Sequence, residues 1–361
     1  MPGNPVTYAP LLTGGRSASV AERRRRERAG NALVLTGAAV VLAALLVIPL
    51  FLGASILAWL PLPEGAWSRL GILIAGSAKA ATCALLLAVP LALAAAIFSA
   101  QFASQGFRSW LKPGLEILEA IPTVVLGLVA FATLSPWLKH NVATLLALIV
   151  AIPVLLLAAG FAFGGAFRRQ VGWLPLWLAP VLFAVVVAMI AVLGPLQKDA
   201  IVPPSPWNAV LVGLALGLAA IPMMFSVAED ALMQMPSTHV QAALALGATR
   251  WQAIRSIVLP AARPGLIAAF ALGASRCLGE TMIVLMASGN TPIGDPNPLA
   301  GLRSISADLA LGMPEAAPPG GAYRTLLLAA LVLFVLTFVL NLLAERARTH
   351  VRRANATPAL A

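Results

Sequence analysis

From Asn31 to Leu60 the chain runs thirty residues without a charged side chain. A hydrocarbon core about 30 Å thick is crossed by about 20 such residues as helix. Inside it every backbone N–H and C=O must be satisfied by its own element, which leaves helices and closed barrels. Apolar runs of helical length recur along the sequence, at approximately 31–60, 69–100, 115–138, 141–162, 173–196, 207–228, 264–288 and 322–343. They predict an all-α polytopic membrane protein with about eight transmembrane helices. Only 10% of the residues are charged, against about 25% in a soluble domain. The polar surface needed to wrap this apolar mass in water is missing. The first run is too long for a signal peptide and lacks its small-residue cleavage site, so it is read as a retained helix.

Charge orients the spans. The leader 1–30, rich in Gly, Ser, Pro and Arg, is expected to be a disordered basic cytoplasmic tail. With both termini cytoplasmic, the inner segments hold 17 of the 24 Lys and Arg residues. They include Arg23, Arg24, Arg25, Arg26 and Arg28, then Arg108 with Lys112, Arg168 with Arg169, and Arg250, Arg255 and Arg263. The outer segments hold Arg69, Lys139, Lys198, Arg303 and Arg324, while Lys79 and Arg276 fall within spans. This is the positive-inside distribution. The net charge of +11 therefore sits in short clusters between spans, which argues against the basic footprint of a nucleic-acid binder. Residues 31–68 form the first helix and its outer loop, 69–343 the transmembrane domain, and 344–361 a basic cytoplasmic tail. Ser135, Pro136 and Lys139 leave only a tight turn between the third and fourth runs. The outer segment 289–321 contains six prolines, too many for a continuous helix, with room for a short one around 304–311. Cys83 and Cys277 lie inside apolar runs and are read as small packing residues.

Between two spans, at about 230–263, lies a cytoplasmic segment with its own pattern. Gln241–Pro260 reads QAALALGATRWQAIRSIVLP. Ala242 to Leu246 favours helix, and Gly247 permits a sharp turn. A second amphipathic helix is expected to follow, with Trp251, Ile254 and Val258 at helical spacing and Pro260 at or just beyond its end. Such a helix–Gly–helix projection can lay an apolar face into a partner's groove. It can equally be an interfacial hairpin that meets only lipid headgroups.

The spacing resembles the loop of bacterial ABC importer permeases: EAA, three residues, Gly, nine residues, Ile, one residue, Leu-Pro. Here Gln241, Ala242, Ala243, Gly247, Ile257, Leu259 and Pro260 keep every interval, and Gln241 stands where that pattern has Glu. The segment Arg276-Cys277-Leu278-Gly279-Glu280-Thr281-Met282, continuing to Gly289-Asn290, resembles the R-x-x-GETM…M-x-x-GN segment of phosphate permeases of the PstC type. Ala88-Val89-Pro90 through Phe102, and Glu116-Ile117-Leu118-Glu119-Ala120-Ile121-Pro122-Thr123 through Gly127, resemble two further stretches of that family. The resemblance implies a type I ABC importer permease bundle. The extra pair of runs at about 141–200 then reads as a two-helix insertion into a six-span plan. It implies a permease that moves inorganic phosphate across the inner membrane. The implied partners are a second permease subunit in a heterodimer, a dimer of cytoplasmic ATP-binding subunits docked on the 241–260 loop, and a periplasmic phosphate-binding protein.

Charges inside the membrane narrow the site. A charge at mid-bilayer costs several kcal/mol unless it is paired or faces water. Arg276 and Glu280 are four apart, so they share one helix face and can pair. Lys79 and Arg276 each lie about 15–18 Å into their spans. The expectation is one water-filled, anion-attracting pathway lined by Arg276, Glu280, Lys79 and Thr281, with Glu280 holding Arg276. The alternative is an Arg276–Glu280 pair that only locks helices, with Lys79 snorkelling outward. Pro90, Pro122, Pro153 and Pro222 are candidate hinges or packed kinks. Glu229 and Asp230 are placed to cap the coupling loop or meet its partner, and Glu119 to lie at the inner interface. His140, His239 and His350 have no metal-ligand spacing, and the chain has no GxxxxGK[ST] loop, so no cofactor, metal or ATPase site of its own is expected. A permease for sulfate or molybdate, and a non-transporting membrane scaffold, are the alternatives in function.

Overall fold

The computed structural model describes residues 20–58, 60–145, 147–148, four isolated positions from 185 to 195, 201–318 and 320–356. Among the described residues, helices connected by turns and short extended segments make up the whole architecture. The chain divides at Ser55. The first unit contains most of α1, Val20–Ala58. This helix starts eleven residues before Asn31, so the arginine cluster expected in a disordered tail is helical. Ala, Glu and Arg are strong helix formers, and nothing in Val20–Ala29 breaks the run.

The second unit holds α2 (Ala66–Gln101), α3 (Gln105–Ala120), α4 (Thr123–Leu145), α5 (Ala209–Met233), α6 (Ser237–Ala245), α7 (Arg250–Gly279), α8 (Met282–Ala287), α9 (Ile305–Gly312) and α10 (Gly321–Ala356). Six helices among the described residues are long and apolar enough to cross a membrane: α1, α2, α4, α5, α7 and α10. Most of the fourth and fifth apolar runs, and with them the 141–200 insertion, lie outside the described residues.

The core is a seam of small side chains. Ala80, Ala84, Ala88, Ala92 and Ala96 recur every fourth residue on α2 and are all fully buried. They face α5, where a Cβ on Gly213 would come within 2.6 Å of the Cys83 Cβ and one on Gly217 within 2.9 Å of the Ala84 carbonyl oxygen. Lipid tails are as apolar as leucine, so helices in a bilayer gain little from burying large apolar groups against each other. Close backbone approach through Ala and Gly supplies the packing contacts instead. Both cysteines are free, with Cys277 buried and Cys83 partly so.

Three expected boundaries are corrected. The run at 115–138 is not one span. It is cut at Ile121 and Pro122, which are extended, into the amphipathic α3 and the spanning α4. Pro disfavours helical geometry at the residue before it, and Ile121 is that residue. The turn expected at 135–139 is absent, because α4 continues through Pro136. A π-helical turn, Ala130–Leu134, ends with the Ser135 amide bonded to the Ala130 carbonyl, one residue before the proline. Pro260 likewise ends nothing. A second π turn, Ile254–Val258, ends with the Leu259 amide on the Ile254 carbonyl, and α7 runs on to Gly279. The wider turn accommodates the hydrogen bond that each proline cannot donate. The short outer helix expected at 304–311 is α9, whose Ser304 side chain accepts from the Ala307 amide as an N-cap.

Candidate functional site

Two structural features bear on function, one at each end of α7. At its start, α6 and α7 meet at Gly247, which holds φ +86°. That left-handed value suits glycine and strains other residues. The Ala248 amide bonds to the Ala243 carbonyl across the turn. Thr249 and Gln252 close a capping box on the first turn of α7. The turn projects outward: Leu246 is 90% exposed, and Gln241, Ala242 and Trp251 are exposed beside it. Ile254 and Val258 face inward and are buried. The expected single face of Trp251, Ile254 and Val258 is therefore divided, with Trp251 on the outer surface. Ile257 and Leu259 are half-buried, and Pro260 is exposed.

The root of this projection is a polar cluster. Glu229 on α5 is fully buried. One of its oxygens accepts from the Ser99 hydroxyl of α2, and the other lies 3.2 Å from the Lys112 Nζ of α3. Lys112 also lies 3.6 Å from Asp230. Partial burial works against the Lys112 charge, but the hydrogen bonds and charges of Glu229 and Asp230 outweigh it and raise the ammonium above the usual lysine value. Arg108 donates to the last carbonyls of α2, Nε to Ser99 at 2.6 Å and Nη2 to Ala100 at 2.7 Å. Cations at a helix C-terminus complement its dipole.

At its other end α7 breaks. Gly279 closes the helix, Glu280 is extended (ψ 126°), and α8 restarts at Met282. This break overturns the expected Arg276–Glu280 pair, because the i, i+4 face needs an unbroken helix. Glu280 turns its carboxylate to the Met282 amide at 3.2 Å, capping α8. The carboxylate nearest Arg276 is Glu119 at the end of α3, 4.0 Å from Nη1. Arg276 is 27% exposed, and its buried Nε has no hydrogen-bond acceptor among the described residues. Thr281, half-buried, completes the break, with its hydroxyl 3.4 Å from the Gly279 carbonyl.

Lys79 lies elsewhere. Its Nζ donates to the carbonyls of Asp295 (2.9 Å), Asn297 (3.1 Å) and Gly301 (3.4 Å), so its three donors clip the loop after α8 onto α2. It lines a cavity of about 480 Å³ with Thr82, Cys83, Ile293, Asp295 and Pro298. A further polar group was not foreseen from the sequence. Asp308 of α9 is buried, bonded by Arg69 Nη2 at 3.0 Å, with Arg303 Nε at 2.9 Å. The Arg303 approach is off the N–H axis, so it acts as a charge contact rather than a hydrogen bond. Asp308 is the only charged residue in the short helix expected at 304–311, and that was its signal. The Ser77 hydroxyl accepts from the Ile305 amide, and the Ser306 hydroxyl donates to the Glu280 carbonyl at 2.9 Å. α9 is thereby tied to the break in α7.

Residues 88–354 match the family described as "Binding-protein-dependent transport system inner membrane component". That range includes the Gly247 turn and the break, and excludes Lys79. The chain is 28% identical over 298 residues to phosphate transport system permease protein PstC 1 of Mycobacterium tuberculosis, covering 82% of this chain and 75% of the relative. It is 28% identical over 273 residues to phosphate transport system permease protein PstC of Xylella fastidiosa, covering 75% and 71%. It is 26% identical over 341 residues to the probable ABC transporter permease protein YqgH of Bacillus subtilis, covering 89% and 90%. The family match takes in most of the chain, the turn at Gly247 and the break after Arg276 together, and this protein belongs to the binding-protein-dependent transport system inner membrane components.

Proposed function

We propose that this chain is a permease subunit of an ATP-driven importer of inorganic phosphate. The observation that carries the reading is the break in α7. It leaves Arg276 part-exposed inside a membrane-spanning element, with a forked donor group only loosely engaged by Glu119. A guanidinium binds an oxyanion through paired N–H groups. Loose engagement suits a carrier, which must release what it binds. The named relatives supply the identity of the cargo. Arg276, Glu280 and Thr281 line the pathway in this reading, and Lys79 belongs to its outer entrance.

The Gly247 turn, from Gln241, Ala242 and Ala243 to Ile257, Leu259 and Pro260, docks on a dimer of cytoplasmic ATP-binding subunits. Leu246 and Trp251 are its exposed apolar anchors. A second permease subunit covers the pathway face as a heterodimer, and a periplasmic phosphate-binding protein delivers the anion to the outer loops. Both termini are cytoplasmic.

The test is phosphate uptake by proteoliposomes holding the complete transporter, with sulfate and molybdate as competitors. Uptake that needs this chain and ATP, and resists both competitors, is expected. Uptake of sulfate in preference to phosphate would sink the cargo assignment. Arg276→Gln should abolish uptake in correctly inserted protein, and Arg276→Lys should retain a minor fraction, because it keeps the charge and loses the fork. Normal uptake by Arg276→Gln would remove Arg276 from the pathway.

A further inference from the structure

We infer that α3 is a lever joining the coupling turn to the intramembrane Arg276, with Lys112 and Glu119 as its positioning residues. The inference rests on the importer reading and adds a route by which movement of the turn reaches the pathway.

The geometry of α3 suits this part. It is a 16-residue helix with no fully buried residue, about 24 Å long. Extended residues bound it on both sides: Ser104 with ψ 158°, and Ile121 with ψ 125°. It is thus one continuous helix between two joints, with Pro113 in its interior. Arg108, Lys112, Leu115 and Glu119 recur at i, i+4, i+7 and i+11 and form one stripe. Trp110 and Ile117 stand outward, 83% and 68% exposed.

Polar groups hold the first half of the helix, and a carboxylate stands near its far end. At its middle Lys112 holds Glu229 and Asp230, and one turn earlier Arg108 Nη1 touches the Met233 sulfur at 3.3 Å. Met233 is the last residue of α5, and α6 begins at Ser237. The α3 grip is therefore set at the root of the coupling projection. A cavity of about 320 Å³ lies between that root and the turn, lined by Met233, Met235, Val240, Gln241, Leu244 and Arg250. Displacement of α6 has room there, and through residues 234–236 α6 joins the end of α5 that α3 holds. At the far end Glu119 stands 4.0 Å from Arg276. That distance is the outer limit of an ion pair, so a shift of about 1 Å either engages or releases it. With Glu119 close, the guanidinium is neutralised. With Glu119 withdrawn, it is free to hold an anion. Glu119 thus competes with the cargo for Arg276, and the position of α3 decides the outcome.

The test is a double-mutant cycle on the complete transporter in proteoliposomes, reading anion imported per ATP hydrolysed. Lys112→Met and Glu119→Gln should each lower that ratio about tenfold, while ATP hydrolysis by the partner subunits continues. Lys112→Arg should restore it. The two positions are seven residues apart, about 10.5 Å along the helix, and sites so separated with no shared partner act independently. One lever predicts otherwise: the double variant loses no more than the worse single variant. An unchanged ratio in Lys112→Met, no rescue by Lys112→Arg, or losses that multiply in the double variant would each overturn the lever. If Lys112→Met does not assemble, Lys112→Gln, which keeps a donor for Glu229, takes its place in the cycle. The ratio is read for whichever oxyanion the wild type carries, so a wrong cargo assignment leaves the lever test intact.

Discussion

Asp308 is buried against two guanidinium groups, of which Arg69 stays 46% exposed. Removing one member of a buried ion pair strands the other, at about 3–5 kcal/mol when both are buried. The solvent contact of Arg69 lowers that, so Asp308→Asn should cost about 2 kcal/mol, read as a lower thermal midpoint in detergent. An unshifted midpoint would mean that Asp308 holds nothing. Lys79→Met removes three donors from the loop at 295–301. Faster proteolysis in that loop and reduced uptake are expected, and a variant unchanged in both would free Lys79 from either role. The Lys112 bridge has a defined pH window. Its folded value lies above the unfolded one, so its stabilisation is complete at neutral pH and is lost only as pH rises through the raised lysine value. Residue chemistry was partly legible in the sequence. Arg276 stood out because an arginine in an apolar run needs a reason. Its neighbour Glu119 did not, because 157 positions separate them in the chain.

At the scale of elements, turn chemistry read well and helix continuity read poorly. Gly247 was recognisable as a turn, and its φ of +86° supplies the reason. Gly247→Val should cost about 1–2 kcal/mol or more and reduce ATPase-coupled uptake, whereas Gly247→Asn should be milder, since Asn tolerates left-handed geometry. Equal effects of the two substitutions would count against backbone strain as the cause. Pro136 and Pro260 were read as a turn and a helix end. Each instead follows a π turn that absorbs its missing donor. A single sequence gives no sign of that, because the same proline ends a helix in water and only kinks one held by its neighbours. Glu280 shows the converse. Its spacing from Arg276 promised a shared face, and the break at Gly279 withdrew it.

Across the whole molecule, basic residues from loops far apart in sequence meet acidic partners and carbonyls in two groups. Arg108 and Lys112, assigned to one inner loop, meet Glu229, Asp230 and Met233 at the edge of another. Arg69, Arg303 and Arg324, assigned to two outer segments, reach Asp308 and the Pro61 carbonyl. In a background with both native cysteines replaced, Trp110→Cys and Leu246→Cys should label from the same side of sealed vesicles, and Trp67→Cys from the other. Labelling of all three from one side would reject the topology. Run length and local preference in the sequence specify a helical membrane protein with a glycine turn between two spans and an arginine within an apolar run. Those properties follow from run length, local backbone preference and the cost of burying charge, which are all short-range. Only the packing of helices decided which carboxylate faces Arg276, what Lys79 holds, and that Asp308 ties α9 to α2. Those pairings depend on how separate helices pack through their small residues, and no local rule specifies that.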